Sequence, residues 1–177
     1  RRILSKLEMN KETVPTRMMS DNIRLCFKHL KPCVGFAVLR LFCGALCTSS
    51  AFSEEGRCRW GCTHKDQLAE ILSCEEIQRD IAGSIGKPII PKSAVECFYF
   101  IGHQIPGLTN EQWILCRGIY MLLLVNYYNH KKVNPNCCRS YPDALCKQLA
   151  GHCPKSRELL RILRLYRPRM ISGSGAV

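Results

Sequence analysis

Apolar residues recur along this chain at helical rather than strand spacing. Behind Ser20 and Asp21, the positions Ile23, Leu25, Cys26, Phe27 and Leu30 repeat every three to four residues until Pro32 stops the run. From Val34 to Cys47 the chain is apolar almost all round, which predicts a buried helix that tolerates Gly35 and Gly44. Thr63 stands three residues before Asp66 and opens Leu68, Ile71 and Leu72, with Ile77 and Ile81 extending or following that helix to a stop at Gly83. Ser93 and Glu96 open Val95, Phe98, Phe100 and Ile101 in the same way. Thr109 and Gln112 open the longest helix, about 110–130 by its apolar extent. Pro154, at a first-turn position, leads Leu159, Leu160, Ile162, Leu163 and Tyr166 before Pro168.

These signals predict an all-α fold, a single compact bundle of six or seven helices around a buried central helix. Its centre is Trp113–Val125, because the continuously apolar stretch 119–125 is stable in water only when covered on every side. Loops are expected over 49–57, 83–91 and 133–142. The domain organisation that follows is a basic arm over 1–18, a helical core over 19–153, a basic amphipathic helix over 154–169 and a flexible tail over 170–177. No repeat of helical-hairpin period is visible, which argues against a solenoid. The two longest apolar stretches, Val34–Cys47 and Trp113–Val125, are short and carry Arg40 and Arg117, so no transmembrane span is expected.

Charge adds a partner to this picture. Twenty-six Lys and Arg stand against fourteen Asp and Glu, a net charge of +12. Residues 1–40 carry nine basic and three acidic side chains, 41–130 seven and nine, and 131–177 ten and two. A near-neutral middle suits a packed domain, whereas cationic ends suit contact with a polyanion such as RNA or an anionic membrane surface. In the last helix Arg157, Arg161 and Arg164 fall at steps of four and three, opposite Leu159, Ile162, Leu163 and Tyr166, and Arg167 and Arg169 continue beyond. The planar guanidinium matches phosphate oxygens, and Lys131, Lys132 and Arg139 complete the expected nucleic-acid contacts, with Tyr127, Tyr128 and His130 available for stacking. An ordinary solvated helix face is the bland alternative.

Thirteen cysteines cannot all pair within one chain. At 177 residues a core needs no covalent staples, so mostly reduced thiols are expected. Cys43, Cys47, Cys58 and Cys62 form two C-x3-C pairs, with His64 and Cys74 close behind. A thiolate pair at such spacing reaches one ion from a single turn, and two pairs can close a tetrahedral site for one structural Zn2+. Plain thiols are the third reading, beside zinc and disulfides. The twin C-x3-C pairs resemble those of the small chaperones of the mitochondrial intermembrane space. That resemblance covers only residues 43–62 and implies two disulfides there. A second group, Cys137, Cys138, Cys146 and Cys153 with His152, has no spacing that defines a ligand set.

Catalytic chemistry is hard to assemble from this sequence. Cys116 and His103 are the least implausible nucleophile and base, and a hydrogen-bonded structural histidine is the better account of His103. Gly83-Ser84-Ile85-Gly86-Lys87-Pro88 lacks the spacing of a phosphate-binding loop, with Pro88 where a metal-binding hydroxyl belongs. Glu75 and Glu76 are accounted for by the dipole of the helix they open. The expected function is therefore non-enzymatic: an RNA-binding structural subunit of a ribonucleoprotein such as a mitochondrial ribosome, with RNA and neighbouring proteins as partners. Residues 1–18 contain Glu8 and Glu12 and make an imperfect transit peptide; a reducing compartment, the mitochondrial matrix, is the expected location. One alternative is a zinc-containing viral or mobile-element nucleic-acid-binding protein in the cytoplasm or nucleus. The other is a disulfide-bonded structural subunit or chaperone of a mitochondrial complex.

Overall fold

Thr109 and Gln112 start the longest helix by a reciprocal cap: the Gln112 backbone N–H donates to Thr109 Oγ1 at 3.1 Å, and the Thr109 N–H donates to Gln112 Oε1 at 2.9 Å. In the computed structural model, which describes residues 16–43, 45–46, 48, 56–86, 96, 105–136 and 140–165, seven helices are seen and no strands. They are α1 (Thr16–His29), α2 (Pro32–Phe42), α3 (Leu68–Ser73), α4 (Glu75–Ile85), α5 (Asn110–Val133), α6 (Tyr141–His152) and α7 (Pro154–Arg164). The all-α architecture is thus as the apolar periodicity predicts.

Helix α5 is the centre of the bundle. Every residue from Trp113 to Val125 is buried, and α1, α2, α4, α6 and α7 all pack against it. An apolar run that would be insoluble on a surface is stabilised here because helices cover it on all sides. Arg117, only 1% exposed in the middle of this run, lies 4.6 Å from the centre of the Trp113 ring and pairs with Glu96 at 3.8 Å. The ring face and the carboxylate together offset the cost of burying the guanidinium.

Gly118 lets α1 and α2 come close to α5. A Cβ there would lie 2.7 Å from Cys26 Sγ and 3.3 Å from Val34 Cγ1. Gly118→Ala is therefore expected to destabilise the protein by about 1–2 kcal/mol, because overpacking outweighs the gain in helix propensity. Gly83, inside α4, has open space where a Cβ would go, so Gly83→Ala is expected to stabilise by about 0.5–1 kcal/mol. Denaturant midpoints of the two variants check both signs, and stabilisation by Gly118→Ala would mean that the three helices are not closely packed there.

Several boundaries differ from the sequence reading for local reasons. Helix α1 ends at His29, before Pro32 as expected, but starts at Thr16, ahead of Ser20 and Asp21 and inside the expected arm; Pro32 itself sits in the first turn of α2, where its missing N–H is harmless. Helix α2 stops at Phe42 rather than continuing to Cys47, with Cys43 as its C-cap and Gly44, a frequent helix terminator, next in the chain. The segment begun by Thr63 starts only after Gln67, as two short helices parted at Cys74, and α4 runs through Gly83 to Ile85 with Gly86 as its C-cap. Helix α6 falls partly in the expected loop 133–142. The helix expected after Ser93 lies outside the described residues except for Glu96. Among the described residues, no helix is long and apolar enough to cross a membrane.

Candidate metal centre

Cys58 and Cys62 sit on a tight knuckle between α2 and α3. Arg57 and Lys65 pair as an isolated antiparallel bridge, while the Cys58 N–H donates to the His64 carbonyl at 2.9 Å and the Asp66 N–H to the Gly56 carbonyl at 2.9 Å. Inside this small loop the chain reverses through Gly61 at φ 85°, a conformation that glycine adopts without steric cost. The reversal brings the Trp60 N–H to within 3.4 Å of the Cys58 sulfur, as a donor toward it.

Packing against α5 holds the knuckle in place. Trp60 meets Tyr127 edge-on at 5.3 Å between ring centres and stacks on Tyr128 at 6.0 Å. Asp66, 1% exposed, accepts the Tyr128 hydroxyl at 3.0 and 3.1 Å and pairs with Arg59 Nε at 3.5 Å. Burial above all, against the opposing Arg59 hydrogen bond and with the Asp66 charge adding to it, pushes the Tyr128 phenol up to about 12.

The other two candidate ligands come from the next turns of chain. Glu70 lies on α3, and Cys74 is both the C-cap of α3 and the N-cap of α4. Glu70 and Cys74 are four residues apart and the Cys74 N–H donates to the Glu70 carbonyl at 2.7 Å, so the two side chains share one side of the helix end. Cys58 Sγ lies 3.8 Å from Cys74 Sγ, and Cys62 Sγ donates to Glu70 Oε1 at 3.0 Å. One ligand atom from each of the four residues lies within 4.8 Å of all the others, close enough to hold a single metal ion.

Two observations test the fit. Zinc–sulfur bonds of about 2.3 Å in a tetrahedron separate two sulfurs by about 3.8 Å, which is the Cys58–Cys74 distance. Glu70 Oε2 is buried with no hydrogen-bond partner, an arrangement that a bound cation would satisfy. Burial above all, reinforced by the Glu70 carboxylate, pushes the Cys58 thiol far up and the Cys74 thiol to about 12, although N–H groups of Glu76 and Ile77 oppose this at Cys74. A metal entering here must therefore displace thiol protons.

The remaining expected site residues are dispersed or outside the described residues. Cys43 is exposed at the end of α2 and is not one of the four grouped ligands; Cys47 lies outside the described residues. Glu70 has no spacing signature, and Cys74 is visible in the sequence only as a cysteine near the pairs. Arg157, Arg161 and Arg164 are exposed along α7, Lys132 is exposed and Lys131 half-buried at the end of α5, and Arg139, Arg167 and Arg169 lie outside the described residues. Of the second cysteine group Cys146 is fully buried, Cys153 is half-buried, and Cys137 and Cys138 are outside the described residues. Cys116 is buried in α5, which raises its thiol to about 12 and disfavours the reactive thiolate; His103 is outside the described residues.

Fold and site together define an all-α, cysteine-rich protein in which three cysteines and a glutamate lie close enough to hold a metal ion. Comparison with protein-family models, with curated proteins and with solved structures finds no match.

Proposed function

We propose that this chain is a non-enzymatic RNA-binding structural subunit of a ribonucleoprotein, of the mitochondrial-ribosome type and in a reducing compartment, braced by one structural zinc ion. The observation that carries RNA binding is the two-sided character of α7. Leu159, Leu160 and Leu163 are buried against the bundle, while Arg157, Arg161 and Arg164 are exposed on the other side. Anchored leucines hold the arginines along about 10 Å of helix at the 1.5 Å rise per residue, so the backbone that carries them is already ordered before they meet phosphates. The only acid on this helix, Glu158, pairs with Lys155 at 3.7 Å. The arginine row keeps its positive field.

The zinc reading rests on the ligand chemistry. Three cysteine sulfurs favour a soft or borderline ion over Mg2+ or Ca2+, and the sulfur separation suits a tetrahedron. Zinc there would tie the knuckle to the α3–α4 junction.

Titration of a fluorescent single-stranded RNA, repeated from low to physiological salt, tests the RNA reading. The wild-type affinity should fall steeply with salt, and the variant combining Arg157→Ala, Arg161→Ala and Arg164→Ala should lower the logarithmic salt slope by about 2, at about 0.7 per phosphate contact. An affinity indifferent to salt, or a slope unchanged in the variant, would overturn it.

A further inference from the structure

The ligand cluster is walled on one side and open on the other. Cys58 is backed by the knuckle, whereas Cys62, Glu70 and Cys74 also line an open cleft of about 380 Å3, with His64 and Ser73 on its walls. Closed structural zinc sites use four sulfur or nitrogen ligands. Here the fourth ligand is a carboxylate, the hardest donor of the set and the one that a borderline ion holds least firmly against thiolates.

We propose that the metal held here is exchangeable, and that the cleft admits a small polydentate chelator bearing carboxylate or thiolate donors, which enters the coordination position of Glu70. The inference rests on the zinc reading above. In the first step a donor lone pair of the incoming molecule forms a bond to the ion as the bond to the Glu70 carboxylate oxygen breaks. The carboxylate keeps its negative charge, and no electron is transferred. Cys58, Cys62 and Cys74 hold the ion until further donors replace them, each sulfur then taking one proton from solvent. The ion leaves with the chelator through the cleft. Such a centre passes its metal to, and receives it from, a second molecule without unfolding of the bundle.

The test uses the full chain loaded with Co2+, whose thiolate absorption reports occupancy, mixed with rising concentrations of EDTA. The expected release rate increases in proportion to EDTA. Glu70→Cys, which completes a four-sulfur set, should slow release at a given EDTA concentration by about tenfold. Ser73→Leu, an exposed position on the cleft wall, should slow it while leaving the metal stoichiometry intact. A release rate independent of EDTA, in a chain that binds one metal, would mean that a step of the protein itself, dissociation of the ion or opening of the fold, limits escape; this overturns entry of the chelator at the Glu70 position and leaves the zinc reading standing. A chain that binds neither Co2+ nor zinc overturns both.

Discussion

Cys74→Ser is expected to abolish stoichiometric zinc binding, whereas Cys43→Ser should keep it. Cys74 closes α3, opens α4 and places its sulfur 3.8 Å from that of Cys58. A serine oxygen there is a poor thiolate substitute, and the remaining Cys58, Cys62 and Glu70 cannot complete the tetrahedron from protein ligands. In zinc-finger peptides the ion supplies nearly all folding free energy. This chain has a packed core around α5, so its response should be partial. With free zinc about a thousandfold above Kd, the wild type should gain about 4 kcal/mol over the chelated protein by mass action. The Cys74→Ser chain should gain almost nothing. Elemental mass spectrometry and denaturant unfolding with zinc and with chelator check the two halves of this result. Full zinc retention by Cys74→Ser, or loss from Cys43→Ser, would return the ligand set to the twin C-x3-C pairs.

Asp66→Asn should cost about 3 kcal/mol, the low end of the range for breaking a buried charged pair. The Asp66 carboxylate is 1% exposed and holds both Arg59 and the Tyr128 hydroxyl. An amide of the same shape turns an NH2 group toward one of these donors and removes the charge that compensates Arg59. The cost stays at the low end because the Arg59 side chain, 28% exposed, can recover water. Tyr128→Phe should cost about 1–2 kcal/mol, since it removes one donor to a charged acceptor and leaves Arg59 in place. The double variant should lose less than the sum, as both substitutions remove the same contact. Because the knuckle between Gly56 and Asp66 carries Cys58 and Cys62, Asp66→Asn should also weaken metal binding. Denaturant midpoints with unchanged m-values read the stability effect. A loss below about 0.5 kcal/mol, the scale of an ordinary surface substitution, would show that Asp66 does not anchor the knuckle to α5.

Two helix starts were legible in the sequence, whereas the equally local signals at Thr63–Asp66 and Ser20–Asp21 miss the observed starts. The Thr109–Gln112 cap and Pro154 are complete within one turn of chain, and both are found where their spacing put them. Helix α6 was missed although Ser140, Pro142 and Asp143 offer a start signal and Pro142, Cys146 and Leu149 keep helical spacing, because the Asn, Pro and Cys residues just before it read as loop. The expected extension of α2 to Cys47 failed for the opposite reason: continuous apolar character specifies burial but not where a helix stops.

The candidate site divides along the same line. The sequence by itself determined the fold class, the buried centre over Trp113–Val125 and the periodic arginine row of the last helix, and it singled out Cys58 and Cys62, two of the four residues that the fold brings together. Each of these is a local pattern, set by helical periodicity or by the reach of one turn. Only the tertiary structure decided that Glu70 and Cys74, rather than Cys43, stand beside that pair among the described residues. That choice follows from how Asp66, Trp60 and Tyr128 seat the knuckle on α5, so that its sulfurs meet the end of α3. Such contacts arise from side-chain packing between segments distant in the chain, and no spacing rule along the sequence encodes them.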